Sequence, residues 1–314
     1  MNGLELARGY YEEYGRPMLE REFSSLLPYL AVGFTGRGSE HYGFDDEISR
    51  DHDFEPGFNL FLPGEDIVSR RDAFLLERAY AKLPAEYRGF ARQKLSPVGG
   101  NRHGVCRTAE FYLEAVGAAD GRLPEEAWLQ IPDYALAEAV NGEIFEDNYG
   151  EVTSIRYSLS HMPEEFRRKR LAGQLLLMGQ AGQYNFPRCL KHGEPEAAQL
   201  ACGEFVSAAM KTLFLLHRRY MPYYKWSFRA LRKQLGAIAE AESLALLLTG
   251  DNWEDYIVQA KTDAIEALAA DITARVKTDL RLVSDSPDLE HLAYAVNDSI
   301  ADGQLRNRHI LAAV

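Results

Sequence analysis

Apolar and polar positions along the chain alternate between a helical and an extended spacing, and the alternation predicts the elements. Residues 3–27 set apolar side chains at helical spacing among charged ones. Gly15-Arg16-Pro17 interrupts them, which predicts two helices, the second starting near Pro17. Two compact apolar runs follow, Leu30-Ala31-Val32-Gly33-Phe34 and Phe58-Asn59-Leu60-Phe61-Leu62, the second closed by Pro63-Gly64. Each reads as a short buried strand. Residues 67–82 return to the helical period, with Ile67, Phe74, Leu75 and Tyr80 on the apolar side and Arg70, Arg71 and Arg78 outside. Pro97 and Gly99-Gly100 predict a loop over 91–102, before a third strand at 104–108 and a helix at 110–116. Residues 123–140 keep helical spacing around Trp128, Leu136 and Ala139, broken at Pro132. Asn141-Gly142 and Asn148-Tyr149-Gly150 are turn signals bracketing one more strand, Glu143-Ile144-Phe145.

Strand signals stop near Ser154. Helices are predicted over 163–180, over 194–219, from about Trp226, over 237–248 and over 253–280, with a last one opening at Ser284-Asp285-Ser286-Pro287. Acids open the helix at Glu194 and Arg218-Arg219 close it, as the helix dipole favours. The expected fold is therefore α/β in residues 1–154, a small mixed sheet flanked by helices. An all-helical domain over 155–314 follows, with the active site in a cleft between the two.

Composition narrows the function classes. The chain has 314 residues, enough for two domains with a sizeable core, and an ordinary globular composition with 46% hydrophobic residues. Its start, Met1-Asn2-Gly3-Leu4-Glu5, lacks a signal pattern, and no uninterrupted apolar run has the length of a membrane span, so a cytoplasmic, membrane-free protein is expected. Cys106, Cys189 and Cys202 are scattered, fit no zinc spacing and read as thiols in a reducing compartment. The formal net charge of -12 counts against broad nucleic-acid binding.

The candidate chemistry lies between the first two strands. Asp51 and Asp53 are two residues apart, so on an extended backbone both side chains leave from one face, about 7 Å apart. At about 5 Å their charges would repel by roughly 3 kcal/mol, a cost that a divalent cation reverses. Gly38-Ser39 offers a backbone that a phosphate can approach and a hydroxyl to hold it. A solvated acidic loop is the plainer reading of the pair alone, since Asp45, Asp46 and Glu47 are near.

Taken together, Gly38-Ser39, eleven intervening residues and Asp51-His52-Asp53-Phe54, all placed after a strand, resemble the signature of the polymerase-beta-type nucleotidyltransferases. These include the aminoglycoside adenylyltransferases. The likeness extends to a bacterial family of unknown function carrying this domain, through Asn141-Gly142-Glu143-Ile144-Phe145 with Asp147, Gly182-Gln183-Tyr184-Asn185, and Arg219-Tyr220-Met221-Pro222-Tyr223-Tyr224-Lys225-Trp226. It covers about residues 30 to 230.

That resemblance implies magnesium- or manganese-dependent transfer of a nucleoside monophosphate, AMP from ATP, to a hydroxyl of a small molecule or protein. Asp51 and Asp53 would bind metal, and Gly38 and Ser39 the nucleotide. Related enzymes carry a third acid on the neighbouring strand; here residues 105–108 have none, and Glu110 or, failing it, Asp147 is the candidate substitute, with a surface carboxylate the plainer reading of either. Lys225, set among aromatic residues, would meet the triphosphate, or else those rings are core and the lysine reaches outward; Asn185 and Arg188 have weaker claims. Arg167-Arg168-Lys169-Arg170 reads as a solvated helix face ahead of a phosphate contact. His52 reads as structural, and His41 as a surface residue ahead of a nucleotide contact. The alternative to an enzyme is a nucleotide-binding regulatory protein of the same fold; 3′-end extension of RNA or DNA is disfavoured by the acidic balance.

Overall fold

Why the N-terminal half makes a sheet is visible in β1 (Ala31–Phe34) and β2 (Asn59–Leu62), whose every residue is buried. A computed structural model describes residues 1–48, 54–92, 103–283 and 288–314. The chain divides into two units, 1–123 with 135–161, and 124–134 with 162–314.

The first unit opens with α1 (Gly3–Tyr10), capped by Asn2 and Glu5 reciprocally, and α2 (Arg16–Glu22), joined through a wide helical turn at Tyr11–Gly15. After β1 and β2 come α3 (Arg70–Ala81) and a small hairpin of β3 (Glu86–Tyr87) and β4 (Phe90–Ala91) turning at Arg88-Gly89. The hairpin is not visible in the apolar pattern because each strand is two residues long. Then follow β5 (Gly104–Arg107) and α4 (Thr108–Val116). In chain order α5 (Glu125–Gln130) belongs to the second unit, and α6 (Asp133–Val140), β6 (Glu143–Asp147) and α7 (Glu151–Ser160) complete the set.

The sheet is mixed, in the order β5-β2-β1-β6. β1 runs antiparallel to both β2 and β6, with Gly33 opposite Asn59 and Phe34 opposite Glu143, whereas β5 runs parallel to β2 with Asn59 opposite Gly104. The end of β1, the start of β2 and the start of β5 therefore share one end of the sheet. Behind it, Leu6, Tyr10, Leu19, Leu60 and Leu76 form a fully buried core. Tyr80 locks the start of β2: its hydroxyl accepts from the Phe58 amide at 3.0 Å and donates to the Phe58 carbonyl at 2.9 Å.

The second unit is helical: α8 (Glu164–Met178), α9 (Phe186–Lys191), α10 (Pro195–Leu216), α11 (Tyr224–Gln234), α12 (Ile238–Thr249), α13 (Asp255–Leu280), α14 (Leu289–Asp298) and α15 (Gly303–Asn307). The expected last helix opens within 284–287, outside the described residues, and α14 starts just after them. α8 is the hub, packed on α10 and α14. It runs into α9 through a wide turn at Gly179–Asn185, where a Cβ on Gly182 would lie 2.3 Å from the Phe205 ring. α10 has the length and apolarity of a membrane span, but 61% of that stretch is buried inside the protein.

The basic run of α8 is not a solvated face, and its charges are not held for phosphate. Arg167, Lys169 and Arg170 are buried at 2%, 0% and 5% exposure. Arg167 pairs with Glu164 and Asp279, and Arg170 pairs with Asp133 while donating to the Trp128 and Ile131 carbonyls. Arg170 thereby ties residues 124–134 to the helical unit. Lys169 donates to Asn297 Oδ1 at 2.8 Å and to the carbonyls of Arg306 and Arg308 at 3.2 and 2.7 Å, its three protons matched by three neutral oxygens. Burial pushes its pKa down. The charged residues at 167–170 carry every outward sign of a surface, and only the partners supplied by Asp133, Asp279 and the C-terminal segment bring them inside.

Candidate functional site

β1 ends in Thr35-Gly36-Arg37-Gly38-Ser39, and this turn is held from several sides. Gly36 and Gly38 take φ of +130° and +118°, values that a side chain disfavours. The Asn141 side chain grips Gly36 like a paired strand: its Oδ1 accepts from the Gly36 amide at 3.0 Å and its Nδ2 donates to the Gly36 carbonyl at 2.7 Å. Arg156, from α7, donates to Thr35 Oγ1 at 3.1 Å and to the carbonyls of Val140 and Asn141 at 2.7 and 2.8 Å. Gly142 closes the clamp at φ +64°, where a Cβ would stand 2.0 Å from the Phe34 carbonyl oxygen. The Asn-Gly pair is thus the fastening of the turn as well as a turn signal.

Ser39 is buried and opens a short helical turn, Ser39–Tyr42, closed by the Phe44 amide donating to the Ser39 carbonyl at 2.9 Å. Glu40 is also buried; its carboxylate lies against Gly38, so close that a Cβ there would be 2.2 Å from Glu40 Oε1. His41 is buried rather than superficial, stacked on Phe34 with ring centres 4.3 Å apart. His103 lies 4.8 Å from the same Phe34 ring. Glu40 Oε1 is 3.6 Å from His41 Nδ1.

The expected acids are distributed unevenly. Asp51, His52 and Asp53 lie outside the described residues. Glu110 is exposed in the first turn of α4, beyond the Arg107 end of β5. Because β5 parallels β2 and β1 opposes it, Glu110 leaves the sheet at the end opposite to Ser39, about 10 Å of strand away. Its neighbour Cys106 has a thiol pushed up to about 12, by burial first and by Glu110 second. Asp147 pairs with Ala31 at that same far end, and its carboxylate accepts from the amides of Gly150 and Thr153 at 2.8 and 2.7 Å, opening α7.

Glu138 is the half-buried acid that does reach the turn, with Oε2 3.7 Å from Arg37 Nε. Burial raises its pKa, and Arg37 opposes the rise. The Tyr42 hydroxyl completes the group: burial pushes its pKa up, the nearby Asn141 amide lowers it and Glu138 raises it. Sequence reasoning passed over Glu138 because it sits within α6, far along the chain from the signature. Its spacing, three residues before Asn141, was the available signal. Among the described residues, no three His, Cys, Asp or Glu side chains are gathered as a metal site.

Lys225 belongs to the second unit, exposed in the first turn of α11. Its aromatic neighbours do not bury it, nor are they core: Tyr223 and Tyr224 are themselves exposed. Asn185 and Arg188 are exposed too, and Arg188 stacks on Tyr184.

Comparison with known proteins adds one match. Residues 128–227 fit a family described as a domain of unknown function, DUF4037. No curated protein and no solved structure matches the chain. The matched segment runs from Trp128, through Asn141 and Arg156, to α11, so it takes in the clamp on the turn and the Arg170 partners.

Proposed function

We propose that the protein is a magnesium- or manganese-dependent nucleotidyltransferase that moves AMP from ATP to a hydroxyl of a small molecule or protein, releasing pyrophosphate. The observation that carries this reading is the clamped Gly36–Ser39 turn, followed in the chain by Asp51 and Asp53. A Cβ on Gly36 would meet nothing within 4 Å, so the backbone there is open to close approach by a ligand. The Glu40 carboxylate beside Gly38 has the wrong sign for a bare phosphate and suits one that arrives with a divalent cation. Asp51 and Asp53 would hold that cation, which when bound neutralises the triphosphate.

The chain's own groups would do the rest. Ser39 and the turn amides would orient the phosphates, and rigidity of the turn supports catalysis by positioning. Proton acceptance from the attacking hydroxyl falls to Glu138 rather than to Glu110 or Asp147. Its raised pKa makes it a better base, and its contact with Arg37 keeps it at the turn. The distance of Glu110 and Asp147 from the turn favours a second reading, a nucleotide-binding regulatory protein without turnover.

Calorimetry tests the first step. Wild-type protein should bind magnesium–ATP, and Asp53→Asn should weaken that binding at least tenfold with the fold intact. Equal affinity in the two proteins would overturn the metal assignment. Glu138→Gln should keep nucleotide affinity and lower transfer by about 10²- to 10⁴-fold.

A further inference from the structure

Between Glu204 and Glu240 the chain carries seven Lys and Arg residues and no Asp or Glu, against a net charge of -12 for the whole. The stretch covers the later part of α10, the connection 217–223 and α11, and it interleaves cations with rings: Arg219, Tyr223, Tyr224, Lys225, Trp226, Arg229. α11 has already buried one side, Ser227, Ala230 and Leu231, within the helical unit. What faces water is different in kind. Tyr224 is 66% and Tyr223 40% exposed, and Arg219 and Lys225 are exposed beside them.

The rings are organised, not scattered. Tyr223 and Tyr224 lie 4.5 Å apart, Tyr134 stands edge-on to Tyr223 at 5.7 Å, and Arg229 stacks over Trp226 at 5.7 Å. Such a surface offers π-faces for flat rings and cations for phosphates. An anionic membrane would need a free apolar face to enter, and α11 has none to give. A duplex presents phosphates but hides its base faces. A single strand presents both, and stacking with a cationic track is how such strands are held.

We propose that the Arg219–Arg229 surface binds single-stranded nucleic acid. Along the chain this stretch reverses the whole-chain charge that argues against nucleic acid; Arg218 is taken up by Glu164 and Asp279 and Arg232 by Glu242, so the exposed Arg219 and Lys225 are the cations the surface offers first. The inference stands apart from nucleotidyl transfer, so its test omits both nucleotide and metal.

Fluorescence anisotropy in EDTA would use labelled RNA and DNA single strands of about 12 nucleotides and a duplex of the same sequence. Binding should be tighter to the single strands, and preference between RNA and DNA identifies the natural class. Arg219→Gln with Lys225→Gln should weaken binding at least tenfold and flatten the salt dependence by about 1.4, at roughly 0.7 per phosphate. Tyr224→Ala should weaken it about tenfold. All three side chains are exposed, so circular dichroism should be unchanged; Tyr224→Phe, which keeps the ring, should bind as wild type. Absence of binding at low salt, equal affinity for the duplex, unaltered affinity in the variants, or binding to anionic vesicles in place of the oligonucleotides would each overturn the proposal.

Discussion

Asn141 shows how one side chain can decide the geometry of a site that lies far from it in sequence. Its amide replaces a strand partner for Gly36, accepting from the amide and donating to the carbonyl. Asn141→Asp keeps the shape but removes the donor and sets a carboxylate against a carbonyl oxygen. The expected loss is about 1–3 kcal/mol of folding stability by urea denaturation, with a larger proportional loss of nucleotide binding. Unchanged stability would mean that the clamp does not hold the turn. The sequence made Asn141-Gly142 legible as a turn signal. It could not show the grip on Gly36, because nothing local to residue 141 records the positive φ at 36. Glu138 carried only its spacing to Asn141 as a signal, because its partner Arg37 is a hundred residues away.

At the scale of elements, apolar periodicity places β1 and β2 within a residue, since both are buried on both faces and so read as unbroken runs. It failed at α8, where charge was mistaken for exposure. A buried arginine is tolerable only when paired, and Arg170 is, through Asp133 and two carbonyls. Arg170→Met should therefore cost about 3–5 kcal/mol, because Asp133 is left buried without its cation. Adding Asp133→Asn should recover part of that loss, as burial already drives the Asp133 pKa upward. A single-variant loss below about 1 kcal/mol would return Arg170 to a peripheral role.

Across the whole molecule, phenols buried in both units couple stability to pH. Burial raises the pKa of Tyr11, Tyr42, Tyr80 and Tyr220 well above 10, and that of Tyr112 to about 12. The unfolded chain gives up these protons near pH 10 and the folded chain does not. Their contribution is thus present below pH 10 and lost as pH rises beyond it, by about 1.4 kcal/mol per pH unit for each phenol. Urea midpoints should fall steeply above pH 10, with a late step of tyrosinate absorbance, that of the buried phenols, appearing together with unfolding; the full tyrosinate signal reached while the protein is still folded would contradict this.

The central claim, transfer of a nucleotidyl group by the unit that carries the Gly36–Ser39 turn, is tested most directly by following label position. Purified protein with magnesium, a broad set of hydroxyl acceptors and ATP labelled at either the α- or the γ-phosphorus should move only the α-label onto an acceptor. Pyrophosphate should carry the γ-label, and Asp53→Asn should abolish both events. Transfer of the γ-label, release of inorganic phosphate alone, or intact ATP throughout despite tight magnesium–ATP binding would contradict the account.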